Sequence, residues 1–331
     1  MPHPLAAVNP SLSTLFLRSV WLLILALIPQ NIQACQNAEY AAAKVDGEVI
    51  DGEATIRAPL GQSEIVIKTT RRLAGAIDSV TWNGKEFIDS SDHGRQLQSA
   101  SNFDNGKAFV PETFNPTEAG SMRDGAGKTS TSRLLQLIAG ENRLQTTTQM
   151  AFWLAPGETS AGHPATNNSR LSNHLLIKRV TIGYEDLPNV IQYDVTFSLP
   201  IDEQHRYAQF EAVTGYMPDE FQSSYQFVPE SGKLQPIDFG PGEQSHPIVL
   251  ATTDGHFAMG IYSPDQPSKG FEQAGYGRFR FAEQHVNKWN CVFRVQAKEM
   301  ISPGDYSYRC LVILGDMSMV QSALVQLHAK R

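Results

Sequence analysis

The chain has little of what marks several large functional classes. Among its 331 residues are 3 Cys, none in a Cys-x-x-Cys pair, so no cysteine spacing announces a structural zinc site. Positive charge is also short: 27 Lys and Arg face 34 Asp and Glu, the formal charge is -7, and no basic run occurs. That balance argues against a nucleic-acid partner, whose phosphates need a clustered positive surface, and leaves neutral or cationic ligands open. No Gly-x-Ser-x-Gly elbow and no His-Glu-x-x-His spacing is present, which argues against α/β-hydrolase and zinc-protease chemistry. Gly275 and Gly277 are followed by neither a helical pattern nor a Walker lysine, so nucleotide binding has little support. These absences lead to the expectation of no cofactor and no metal.

Long apolar runs are equally scarce. One, residues 20–29 (VWLLILALIP), follows Arg18 and precedes small residues, and it is shorter than the roughly 20 residues a membrane helix needs. Residues 1–35 therefore read as an export signal, and residues 36–331 as one domain working in the periplasm or outside the cell. Ile32-Gln33-Ala34-Cys35 approximates a bacterial lipoprotein box, which would lipidate Cys35; plain cleavage after Ala34 or Ala38 is the alternative. Cys291 and Cys310 then remain as a pair in an oxidising compartment. A hairpin turning on Ser302-Pro303-Gly304-Asp305 would set Cys310 opposite Ala297, roughly 20 Å from Cys291 at strand rise. Buried free thiols are the favoured reading, and a different register would permit a bridge.

What the sequence has in quantity is β pattern. EATIRAPL, SEIVIKTT and DSVTWNGKEFI alternate or carry β-branched residues, and Asn83-Gly84 is a two-residue hairpin signal. Similar segments recur up to YSYRCLVILG, separated by turn residues such as Gly140-Glu141-Asn142, Leu187-Pro188-Asn189 and Asp254-Gly255. Only MSMVQSALVQLHA, with Val320, Leu324 and Leu327 at helical spacing, predicts a helix. So many strands bury their apolar faces best as two packed sheets, which predicts an all-β fold, a large two-sheet antiparallel sandwich with a short C-terminal helix.

Residues 89–121 stand out because polar hydrogen-bonding side chains crowd a stretch with few aliphatics. Asp92, His93, Arg95, Gln96, Gln98, Asn102, Asn115 and Glu118 can donate and accept in many directions, which suits a neutral polyhydroxylated ligand such as a sugar. A solvated surface loop is the competing reading. Arg95, beside Asp92 and Gln96, can grip either a structural carboxylate or several sugar oxygens.

The hairpin DSVTWNGKEFI leading directly into DSSDHGRQLQ, with Gly94-Arg95 inside it, resembles the opening of the galactose mutarotase (aldose 1-epimerase) superfamily. The resemblance extends in pattern over residues 50–315 and implies a large β-sandwich, a supersandwich, with a carbohydrate ligand. It further implies an acid at His174, in the Asn173-His174 step, and a late carboxylate base at Glu283, with His93 as a spare acid. Arg95, Gln96, Asn102, Asn115 and Glu118 would contact the ligand. The His-Gly-Gly signature typical of true epimerases is missing; FNPTEAGS stands in that region, which puts epimerase activity in doubt more than the fold.

Anomer interconversion needs a base at the C1 hydroxyl and an acid at the ring oxygen, so one carboxylate and one imidazole across a pocket would suffice. Glu211 and Glu220, flanking Gly215-Tyr216-Met217-Pro218, offer the two carboxylates of a glycosidase as another arrangement. Three functions therefore stand: an exported carbohydrate-active enzyme acting by acid-base chemistry, whether epimerase, hydrolase or lyase; a non-catalytic carbohydrate-binding protein; and a structural or interaction sandwich.

Overall fold

The computed structural model describes residues 51–272 and 274–330. The expected export signal, its cleavage sites and Cys35 lie outside the described residues. Within them the chain is an all-β antiparallel sandwich of two sheets with a short C-terminal helix.

Strand pairing defines the two layers. The first sheet runs, in spatial order, Ala54–Leu60, Ser63–Thr69, Ile77–Trp82, Leu97–Phe103, Tyr207–Pro218, Val286–Gln296, Tyr276–Phe281 and Gly242–Gln244. The second runs Arg133–Ala139, Arg143–Phe152, Leu171–Tyr184, Leu187–Leu199, Gly304–Gly315, Ala258–Tyr262, Ile248–Ala251, Ser223–Val228 and Lys233–Ile237. The two-residue strand Pro116–Thr117 pairs with Leu97–Phe103 on one side and Arg143–Phe152 on the other, tying the layers at one edge.

Alternation along the strands fills the space between the sheets. Ile65, Ile67, Phe210 and Trp289 from the first meet Leu176, Val180, Tyr193, Phe197 and Val312 from the second in one buried cluster. Each such side chain contributes about 1.5–3 kcal/mol by leaving water. The second half of Gly304–Gly315, from Cys310 onward, is apolar on both faces because its other face is covered too. Leu311 and Ile313 pack with Val320, Ala323, Leu324 and Leu327 of the helix Met317–Ala329. That helix begins where the Asp316 carboxylate accepts the Met319 amide at 2.8 Å.

Asn83 and Gly84 have φ of 50° and 75°, the left-handed pair that a tight hairpin turn requires, and they join Ile77–Trp82 to Lys85–Glu86. The expected hairpin over 302–305, by contrast, does not join neighbouring strands. Val286–Gln296 pairs within the first sheet and Gly304–Gly315 within the second, so the turn carries the chain from one layer to the other. Cys291 and Cys310 are buried free thiols, and burial together with the hydrogen bond that the Cys291 thiol gives to Cys310 pushes the Cys291 thiol well up.

Candidate functional site

The polar segment folds onto the molecule and spends most of its side chains there. His93 is buried, with Nδ1 2.7 Å from the Gly125 carbonyl and Nε2 2.9 Å from that of Arg72. Arg95 pairs with Asp92 at 2.6 Å and reaches Ser91 at 3.1 Å. Gln96 donates to Ser90 and to the Asp92 carbonyl, Asn102 accepts the Glu112 amide at 2.9 Å, and Asn115 donates to the Ser101 carbonyl at 2.6 Å. Glu118 is fully buried against Lys178. Each of these side chains has an internal partner, as buried polar groups in a folded loop must.

The expected acid-base pair is not brought together. His174 points inward from the second sheet, buried against Phe103 at 4.9 Å between ring centres, with Nε2 2.6 Å from Glu203. Glu283 is exposed in the turn Ala282–Gln284, next to Val286. Phe103 pairs with Ala208 and Val286 with Pro218, near opposite ends of the strand Tyr207–Pro218 and so roughly 30 Å apart at strand rise. Glu203 bonds both His174 and His205. Burial opposes its ionisation, but the two imidazoles outweigh that and pull the carboxyl down to about 2. The Glu211 and Glu220 pair does not converge either, since Glu220 is exposed and bound to Lys85 at 2.8 Å.

What does converge lies on the outer face of the first sheet, the face turned away from the core. A bulge between Glu211 and Val213 shifts the strand's alternation, so that Glu211, Thr214 and Tyr216 emerge on this face while Phe210, Val213 and Met217 stay in the core. Across the ladder, Lys288 sits opposite Tyr216 and Asn290 opposite Thr214, with Trp289 and Cys291 pointing inward between them. Gly277 lies opposite Asn290, and a Cβ there would stand 2.2 Å from the Asn290 side-chain oxygen.

Glu211 is the centre of this arrangement. Its Oε2 accepts from Thr214 at 2.9 Å, Lys288 at 3.1 Å and Asn290 at 3.2 Å. Burial raises the cost of its charge, yet the ammonium and the hydrogen bonds prevail and hold the carboxyl below its usual range. Burial likewise opposes the charge on Lys288, but Glu211 and Tyr216 outweigh it and hold the ammonium above the ordinary lysine range. The same Nζ lies 5.3 Å from the Tyr216 ring centre and 5.2 Å from that of Phe279, and Phe281 stacks on Tyr216 at 6.2 Å. Glu211, Lys288, Tyr216 and Phe279 are partly exposed and Phe281 is exposed, whereas Thr214 and Asn290 are buried beneath them.

Farther along the same face the chain closes over. Arg294 bonds Glu243, Ser268 and the Tyr207 hydroxyl, and Tyr207 is flanked by Phe109 and Phe271. The open part is therefore the compact region around Glu211, Lys288, Tyr216 and Phe279. Lys288 and Asn290 were legible as the polar members of NKWNCVFR; nothing in the sequence indicated that they would meet Glu211.

No family model matches the chain, and no curated protein matches it. Solved structures do show similarity. A protein of Escherichia coli K12 designated a candidate aldose 1-epimerase shares 8% identity, with 80% of this chain and 100% of that one covered and a TM-score of 0.47. The α-galactosidase of Lactobacillus brevis shares 11%, covering 84% of this chain and 42% of that chain, with a TM-score of 0.43. A heparan sulfate lyase mutant from Pedobacter heparinus shares 10%, covering 80% and 35%, with a TM-score of 0.40. None reaches a TM-score of 0.5, and the functional reading rests on the side chains.

Proposed function

We propose that this protein binds carbohydrate at the outer face of its first sheet, through a compact site centred on Glu211 and Lys288 that takes a single sugar or the terminal unit of a glycan. The observation that carries this reading is the convergence of three donors on Glu211 Oε2 beside two partly exposed aromatic rings. Three anchored donors hold the carboxylate in place, and Oε1 is the acceptor left for a ligand hydroxyl. Tyr216 and Phe279 supply apolar surface for the C–H face of a sugar ring. A sugar needs both kinds of contact at fixed spacing, and a side chain already anchored loses little entropy on binding.

The charge states favour recognition over proton transfer. A general acid or base works best with a pKa near the working pH, whereas Glu211 and Lys288 are each pushed away from neutrality. The reading is therefore that of a carbohydrate-binding protein, exported by the segment at residues 20–29. Titration calorimetry of the purified chain against a panel of neutral mono- and oligosaccharides tests it. At least one member should bind the wild type and bind Glu211→Gln much more weakly. Catalytic turnover of a panel member that survives Glu211→Gln would overturn the reading, as would the absence of any binding. Export is checked separately, by an N-terminus processed near residue 35 in the native host.

A further inference from the structure

We infer that His174, Glu203 and His205 form a binding site for a first-row divalent transition metal, zinc in the first instance, at the crossover between the two sheets. Residues 200–206 link Leu187–Leu199 of the second sheet to Tyr207–Pro218 of the first. This link brings Glu203 and His205 to His174, which projects inward from Leu171–Tyr184. One ligand atom from each of the three lies within 4.8 Å of the others. Both imidazole Nε2 atoms face the same carboxylate oxygen, at 2.6 Å from His174 and 3.0 Å from His205.

The two ring nitrogens of His205 leave a place for a cation. Nδ1 faces the Asp104 carbonyl and Nε2 faces the Glu203 carboxylate, both of them acceptors. An imidazolium meets both acceptors, whereas a neutral imidazole has one N–H for the two. With that proton on Nδ1, the Nε2 lone pair points at carboxylate oxygen, and a cation between them turns the opposed lone pairs into two ligand bonds. A backbone carbonyl that takes the distal N–H is also how metal-bound histidines are held in tautomer and orientation.

The surroundings are built to hold this geometry. Asp104 Oδ1 accepts the amides of Arg206 at 2.8 Å and Tyr207 at 2.7 Å, and the His205 carbonyl accepts the Ile301 amide at 2.7 Å. Phe103 stands against both imidazoles, with ring centres 4.9 Å from His174 and 4.7 Å from His205, and Phe114 packs on His205 at 5.2 Å. Both histidines are buried, while the Glu203 side chain is 20% exposed and gives the ion a way in. Two imidazoles and one carboxylate suit zinc or its first-row neighbours; calcium and magnesium select oxygen ligands throughout. Three protein ligands with one solvent-facing side leave a coordination position for water. The metal would staple the link between the layers. Its ligands escaped the sequence patterns because His174 and Glu203 are 29 residues apart.

The test uses the full purified chain, stripped with a chelator and then titrated with Zn2+ alone. One zinc should bind per chain, with a rise in thermal midpoint, and Co2+ in its place should give the visible absorption of a nitrogen- and oxygen-ligated ion. Glu203→Gln keeps the side-chain shape and a hydrogen-bonding group, so it should fold by circular dichroism yet bind zinc roughly a hundredfold or more weakly. His205→Ala should do the same, and Glu211→Gln should bind zinc as the wild type does. A folded wild type that takes up no stoichiometric zinc overturns the inference, and so does undiminished zinc binding by folded Glu203→Gln.

Discussion

Two lysine–glutamate pairs lie on opposite sides of one strand, and the same chemistry serves different ends in them. Lys178 and Glu118 are wholly buried between the sheets, whereas Lys288 and Glu211 sit on the outer face and retain 12% and 14% exposure. The bulge separates them: Ser99 gives its amide to Glu118 at 3.0 Å and its hydroxyl to the bulge carbonyl of Ala212 at 2.8 Å. Inside, burial dominates and lowers the Lys178 pKa despite Glu118, while outside the partners win and raise that of Lys288. A charge pair shut in the core fixes how two layers meet, and one at the surface keeps capacity for something else. Lys178 illustrates the first role by reaching across to Glu118 and to the Gly75 carbonyl at 2.7 Å, with its ammonium 5.8 Å from the Tyr193 ring centre.

The largest effect follows removal of one partner of the inner pair. Glu118→Ala or Lys178→Ala leaves an uncompensated buried charge, and each should cost about 3–5 kcal/mol of stability, read by chemical denaturation. The double replacement Lys178→Met with Glu118→Leu should cost less than the two single changes added together. Equal and additive losses would mean that the two side chains do not act as a pair.

At the outer pair, the large effect should fall on binding. Glu211→Gln removes a charge-assisted acceptor and should weaken sugar binding roughly tenfold to a hundredfold, with a smaller change in stability. Its pH dependence has a definite sign. Because the Glu211 carboxyl is held below its ordinary range, its contribution is complete above about pH 4.3 and fades as pH falls toward its folded value. Lys288, held above its range, contributes fully below about pH 10.4 and loses that contribution only as pH rises through its folded value. Lys178 has the reverse slope: its folded pKa is depressed, so stability rises as pH climbs from that value toward about 10.4. Alkaline stability profiles of Lys178→Met and Lys288→Met should therefore depart from the wild type in opposite directions.

A smaller change sharpens the outer site. Gly277→Ala would place a Cβ 2.2 Å from the Asn290 side-chain oxygen and force that amide to move from Glu211. Binding should fall by several-fold to tenfold, about the worth of one hydrogen bond, with the fold retained. The smallest effect belongs to Arg95→Lys. Arg95 and Asp92 are a partly exposed local pair, so stability should move by less than about 0.5 kcal/mol and ligand affinity should stay put. A marked loss of affinity there would return Arg95 to the site.

The legibility of the sequence follows the range of the forces involved. Local pattern placed the hairpin at Asn83-Gly84 and the closing helix with Val320, Leu324 and Leu327, because turn conformation and amphipathic spacing are written in adjacent residues. The sandwich followed from strand number and turn spacing. Pairing between distant strands was beyond reach, as the turn at 302–305 demonstrates by changing sheets. The polar run at 89–121 suggested ligand because composition does not distinguish side chains that bond a sugar from those that bond their own loops. Glu211 was visible as a carboxylate, but its partners Lys288 and Asn290 are 77 and 79 residues away and meet it only through the ladder between two strands.

The division of labour between the pairs is tested most directly by measuring sugar affinity and thermal midpoint together on Glu211→Gln and on Glu118→Gln. The first variant should lose affinity by tenfold or more at nearly wild-type midpoint, and the second should lose midpoint while the fraction that remains folded binds as the wild type does. Wild-type affinity in Glu211→Gln, with the fold intact, would contradict the account.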